Sequence, residues 1–295
     1  MTGSWSERVG AFSELSRLSN LPTVLSNALV GAVLGVAAGA ALEWGRVALV
    51  MTGVSLFYVG GMALNDLVDR EVDAIDRPGR PIPSGRISPG QATIFVLLTF
   101  ATGLVSLAPM GWPALLFGVA LVGAIVLYDW SHRAFSGAVA LMGLCRALVY
   151  AVACAAIAWP IDDPVSLAVI AGAMWAYITA LTVIARFEAR PQVDWTRWGG
   201  LILPPLGLLP LIVLRPESWF VTSVFAVAAT VGVLRGVWFS TRTPARPVHA
   251  VMAWLASIAL FDGMYLAALD RTDLTLVTAA LFAVTLAGHR RILGS

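Results

Sequence analysis

Apolar residues run along this chain for roughly 20 positions at a time, about the length a helix needs to cross the hydrocarbon of a bilayer, and polar residues collect in the gaps between runs. The runs fall near 21–42, 47–64, 92–110, 112–128, 137–158, 164–185, 199–214, 218–238, 248–269 and 273–288. The longer ones read as spanning helices, and the shorter ones as helices that tilt little or borrow flanking residues. The pattern predicts an all-α, polytopic membrane helical bundle of nine or ten transmembrane helices. No Pro-, Gly- or Ser-rich linker interrupts it, so residues 1–295 read as a single domain. A polar segment of about 20 residues precedes the first run without a small-residue cleavage site, so a removable signal peptide is not expected.

Composition strengthens this reading. Of 295 residues, 59% are hydrophobic and 12% charged, with a mean hydropathy of +0.84, well outside the range of ordinary water-soluble domains. All nineteen basic residues are arginines. With the N-terminus inside, fourteen of them, including Arg17, Arg70, Arg77, Arg80, Arg86, Arg133, Arg186, Arg190, Arg242, Arg246 and Arg290, lie on the cytoplasmic side; Arg46, Arg215 and Arg271 face outward. That bias predicts a multi-pass inner (cell) membrane protein and favours ten spans over nine. No basic stripe with interleaved aromatics supports a nucleic-acid partner. Most tryptophans, among them Trp44, Trp112, Trp159 and Trp219, fall near run ends, as interfacial anchors do. Cys145 and Cys154 read as small apolar fillers within the fifth run.

Against this background one segment is dense in charge: Asn65, Asp66, Asp69, Arg70, Glu71 and Asp73, followed by Asp76, Arg77, Pro78, Gly79, Arg80, Pro81, Ile82, Pro83, Ser84, Gly85 and Arg86. On a continuous helix, Asp66, Asp69 and Asp73 share one face, and three converging carboxylates repel one another unless a cation joins them. Ligation by oxygen alone suits Mg2+, which keeps several waters and is commonly shared between one or two carboxylates and a substrate phosphate. Arg77, Arg80 and Arg86 can then make forked contacts to that phosphate. The bland alternatives are a solvated acidic helix end and ordinary cytoplasmic arginine bias.

Asn65 through Asp73 resembles the NDxxDxxxD motif of the UbiA superfamily of intramembrane prenyltransferases, and Arg77 to Gly85 is similar to that family's RPxRPIPSG extension. The likeness reaches Arg17 to Thr23 and the all-helical span pattern. The resemblance implies an allylic isoprenyl diphosphate donor, Mg2+, and transfer of the prenyl group to a lipophilic or small-molecule acceptor inside a bundle open to lipid. By the same resemblance, Asn65, Asp66, Asp69 and Asp73 form the metal and diphosphate cluster, on the cytoplasmic side. The second half departs from the pattern. Where the family carries DxxxD after the sixth span, this chain has Glu188 alone, flanked by Arg186 and Arg190, which replace part of a second metal's charge. The stretch from Tyr177 to Glu188 resembles the divergent EboC-type branch of the family.

Polar residues inside the runs are costly and point to function or to a partner. Asn27 and Arg146 join the substrate-binding candidates. For Arg146 two readings stand, a role at the diphosphate and an ion pair with Asp129. For Asp262 the readings are polarising or deprotonating an acceptor, and bonding to a neighbouring helix. Two rival functions also stand: a transporter or flippase for an amphipathic metabolite, and a non-catalytic scaffold. Charge gathered on one face favours the enzyme over the transporter.

Overall fold

The computed structural model describes residues 5–36, 41–133, 135–188 and 198–293, and every secondary-structure element among them is helical. Helix α1 (Trp5–Leu15) precedes the bundle, which is built from α2 (Leu21–Leu34), α3 (Trp44–Val68), α5 (Pro89–Leu107), α6 (Trp112–Ser131), α7 (Val139–Ile157), α8 (Pro164–Glu188), α10 (Trp219–Thr241), α11 (Pro247–Ala268) and α12 (Thr275–Leu293). Two short helices complete it: α4 (Arg70–Asp76) and α9 (Leu203–Leu208). Among the described residues, eight helices are long and apolar enough to cross a membrane. The first and seventh of the ten predicted runs form shorter apolar helices, Leu18–Leu34 and Gly200–Ile212. The protein is a multi-pass membrane protein.

Local sequence explains the ends. Ser88 accepts from the Gln91 backbone and Gln91 reaches back to the Ser88 amide, a capping box with Pro89 in the first turn of α5. Gly111, at φ +92°, turns the chain into α6. Trp44, Trp112 and Trp219 open their helices and are exposed. Trp254 departs from that anchor pattern, being fully buried in α11 with its indole N–H on Val233 O at 3.1 Å.

Two buried clusters fill the bundle. One joins α2 and α7 to α8, α10 and α11, the other joins α2 and α7 to α1, α3, α5 and α6. Helices α2 and α7 therefore form the seam, and they approach closely. A Cβ added at Gly31 would lie 2.5 Å from Tyr150 O and 2.8 Å from Ala153 Cβ, which only a glycine avoids. Helix α11 is the most enclosed span, with 78% of its apolar window buried.

Candidate active site

Antiparallel packing brings one end of each span together, and the loops at that end carry the charged motif. Helix α3 does not continue through the motif. It stops at Val68, and Asp69 serves as the cap both of α3 and of α4. The predicted single face of three carboxylates is therefore corrected: Asp66 and Asp73 remain together, while Asp69 turns toward the α6–α7 connection. A sequence without Gly or Pro at position 69 gives no sign of this break. Arg133 Nη2 lies 2.6 Å and His132 Nε2 3.2 Å from Asp69 Oδ1.

Guanidinium groups supply the counter-charge. Arg80 Nη1 donates to Asp66 Oδ1 at 3.1 Å and to Asp73 Oδ2 at 2.5 Å, and Arg17 Nη2 donates to Asp66 Oδ1 at 2.6 Å. Arg80 is delivered by a tight loop: Ser84 Oγ bonds Arg80 O, Gly85 takes φ +75°, and Ile82 and Ile87 are buried beneath it. Arg86 fastens the same loop to Glu14 Oε2 at 2.7 Å and to Gly79 O at 2.6 Å, a structural position away from the carboxylates. Arg17 sits at φ 43°, ψ 48°, a left-handed turn that swings the chain from α1 into α2, and Tyr58 OH holds its carbonyl at 2.9 Å.

The other predicted residues separate. Asn65 Nδ2 donates to Asp129 Oδ1 at 3.0 Å, and Arg146 Nη1 donates to Asn27 Oδ1 at 3.0 Å, so the alternative Asp129–Arg146 ion pair gives way to two different partners. Their depths explain it. Asp129 lies two residues from the end of α6, whereas Arg146 lies seven residues into α7, about 10 Å below that end. Arg186 Nη2 reaches His132 O at 3.0 Å. Arg77 is exposed and makes no ion pair among the described residues. The side chain of Glu188, and Arg190 entirely, lie outside the described residues.

Beneath this charged end lies a cavity of about 280 Å3. Helix α3 lines it with a helical stripe of Val54, Phe57, Tyr58, Gly61, Met62 and Asn65, opposite Leu121, Ile125, Tyr128 and Asp129 of α6. Met142, Cys145, Arg146 and Val149 of α7, Ile178, Leu181 and Thr182 of α8, and Leu255 of α11 close the remaining sides. Arg17 and Asn20 stand at the mouth. Arg17, Asn20, Tyr58, Tyr128, His132 and Arg133 are site neighbours that sequence reasoning missed. The stripe spacing 58, 62, 65 on the motif helix was the signal available for Tyr58.

The model of the UbiA prenyltransferase family matches residues 24–260. The chain belongs to the UbiA prenyltransferase family. Among its relatives are digeranylgeranylglyceryl phosphate synthases from Methanopyrus kandleri, 39% identical over 42% of this chain and 43% of that one, and from Sulfolobus acidocaldarius, 36% identical over 42% of this chain and 43% of that one. The chain thus spans less than half the length of the curated relatives it matches. A solved UbiA homologue from Archaeoglobus fulgidus, bound to DMAPP and Mg2+, covers 88% of this chain and 99% of its own at a TM-score of 0.60 and 16% identity. A structure from work on digeranylgeranylglyceryl phosphate synthase covers 90% and 99% at a TM-score of 0.62 and 18% identity. These structural likenesses are of fold.

The UbiA-family cluster fits a hard cation shared with a substrate. Its donors are all oxygens, two of its carboxylates meet on a single Arg80 nitrogen, and the buried Asp69 Oδ1 receives no aligned hydrogen bond. Among the described residues no three acidic, His or Cys side chains are gathered around one point where a metal ion could sit, so the carboxylates would supply only part of a shell that substrate and water complete.

Proposed function

We propose that this protein transfers an isoprenyl group from an allylic isoprenyl diphosphate to an acceptor hydroxyl within the membrane and releases diphosphate, with Mg2+ held by Asp66, Asp69 and Asp73. The observation that carries the proposal is a mostly apolar cavity lined at its charged end by Arg17, Asn65 and Asp129, with Arg17 reaching from that lining to Asp66, which Arg80 joins to Asp73. The mouth is assigned to the cytoplasmic side on the distribution of arginines.

In this reading the prenyl tail lies along the α3 stripe and its diphosphate meets Arg17, Arg80, Arg133 and Arg186. Bound there, Mg2+ supplies positive charge to the diphosphate oxygens. The guanidinium forks hold the negative charge that develops as the allylic carbon–oxygen bond breaks. Val54, Phe57, Leu121 and Ile125 keep water from the allylic cation. The acceptor oxygen then bonds to that carbon, and its proton leaves with diphosphate or water. Asn65 steadies Asp129 beside this path. Relatives called digeranylgeranylglyceryl phosphate synthase support an alcohol bearing a glyceryl phosphate as acceptor. Five arginines around one cavity and its mouth suit two phosphate-bearing substrates. Charge gathered at one end of the bundle supports the enzyme over a transporter.

The experiment is incubation of purified protein with geranylgeranyl diphosphate, Mg2+ and a prenylated glyceryl phosphate, with mass spectrometry of the lipid. A prenyl ether formed in step with diphosphate is expected. Absence of product and of diphosphate, with solute exchange in sealed vesicles, would overturn the reading in favour of transport.

Two outcomes follow for single residues. Arg80→Gln is expected to raise the donor KM about tenfold, the scale of one lost charge-assisted contact, because it leaves Asp66 and Asp73 facing each other; initial rates across donor concentration would read this. Val54 lies twelve residues from Asp66 on α3, about 18 Å along the helix and near the cavity floor. Val54→Trp is expected to lower use of a twenty-carbon donor at least tenfold relative to a ten-carbon donor, measured by direct competition.

A further inference from the structure

Below the mouth, a second polar cluster is sealed inside the bundle and has no part in the carboxylate site. Asp262, fully buried in α11, receives Ser26 Oγ at 2.5 Å and Asn27 Nδ2 at 2.7 Å on Oδ2, and Tyr150 OH at 2.5 Å on Oδ1. Asn27 Nδ2 also donates to Tyr150 OH at 2.7 Å. None of Ser26, Asn27, Tyr150 or Asp262 lines the cavity, so Asp262 does not touch an acceptor and the deprotonating role is set aside.

The cluster does dictate an orientation. Three donors converge on Asp262 as on a carboxylate, which only accepts, so the Asn27 amide must turn its NH2 group inward. Its carbonyl oxygen then faces Arg146 Nη1 at 3.0 Å. A flip of the amide would set its oxygen against the carboxylate and its NH2 against the guanidinium, leaving buried groups unsatisfied on both sides. Arg146 itself lines the cavity among Met142, Cys145, Val149 and Tyr58, and Asn27 is its one hydrogen-bond partner among the described residues. Arginine carries five N–H donors and stays charged, so the remaining donors, at a depth of about 10 Å, call for an anion inside the cavity.

We infer that Asp262, acting through Asn27, is a positioning residue that locks Arg146 into the cavity wall as an anchor for a phosphate oxyanion of one of the two substrates. The inference deepens the transferase reading and rests on it for the source of the phosphate, either the donor's diphosphate or the acceptor's phosphate. Asp262 lies outside the acidic motif and is joined to Arg146 through the two ends of the Asn27 amide.

The test does not depend on turnover. Thermal unfolding of the full chain in detergent, without metal, is followed with inorganic pyrophosphate and with glycerol 1-phosphate, for wild type, Arg146→Gln, Asp262→Asn and the double variant. One anion is expected to stabilise the wild type, and Arg146→Gln and Asp262→Asn are each expected to remove more than half of that shift. The double variant is expected to lose no more than Arg146→Gln alone, since both act at one point. Pyrophosphate as the responding anion assigns the donor, and glycerol 1-phosphate the acceptor. If Asp262→Asn does not accumulate, Tyr150→Phe, which frees the amide on one side, is expected to lose at least half of the shift. Retention of both shifts in Arg146→Gln, no shift in wild type, or a full shift in Asp262→Asn or its substitute would overturn the inference. Failure of transfer with these shifts intact would overturn the function and leave the anchor standing.

Discussion

Asp66→Asn is expected to lower the rate of prenyl transfer by a factor on the order of 100 to 1,000 while the protein stays folded. Asp66 is the carboxylate on which Arg17 and Arg80 meet, and it is buried in the last turn of α3 beside the cavity-lining Asn65. An amide of the same shape keeps the packing, loses the charge that orders both arginines, and turns an NH2 group toward one of them. It also removes one of the oxygens proposed to hold Mg2+. Because Arg17 and Arg80 both reach solvent, their loss of a partner strands no sealed charge, so the melting temperature is expected to move by only a few degrees. Initial rates at saturating donor, with a thermal melt beside them, read both parts. A variant retaining more than about a tenth of the wild-type rate would remove Asp66 from the reaction.

The largest effect on stability is expected at the seam between α2 and α7. Gly31→Leu forces a side chain into space where Cβ alone would lie 2.5 Å from the Tyr150 carbonyl, so the two helices must part. Overpacking of this kind costs roughly 1–3 kcal/mol or more. Parting also draws Asn27 away from Tyr150, since both sit on this seam. A melting temperature lowered by at least several degrees, with loss of transfer in the surviving fraction, is the expected result; a melt equal to wild type would mean that the helices are not held at this distance.

Much of this was legible in one dimension because the bilayer imposes it. Apolar runs must be helical to satisfy their backbone groups, and all ten became helices, two of them shorter than a span. The charged motif and Arg80 were legible because polar residues stand out against hydrocarbon. What was not legible depended on partners distant in sequence. The break at Asp69 places that side chain beside His132 and Arg133, more than sixty residues away, and no Gly or Pro stands near the break to announce it. Arg17 lay in the stretch that resembles the family, but its partner was not legible: a left-handed turn aims it at Asp66, 49 residues away. Asp129 and Arg146 shared a predicted membrane face but differ in depth, and depth is set by where α6 ends and α7 begins. Trp254, inside its apolar run and not among the tryptophans read as anchors, occupies the core of a helix enclosed on most sides.

The most direct measurement of the central claim is diphosphate release from geranylgeranyl diphosphate by purified protein with acceptor present, with Mg2+ and with chelator, for wild type and Asp69→Asn. Release that requires Mg2+ and falls at least about a hundredfold in the variant is the predicted result. Release that is unaffected by chelator and by the substitution, or no release from wild type under any donor and acceptor, would contradict the account.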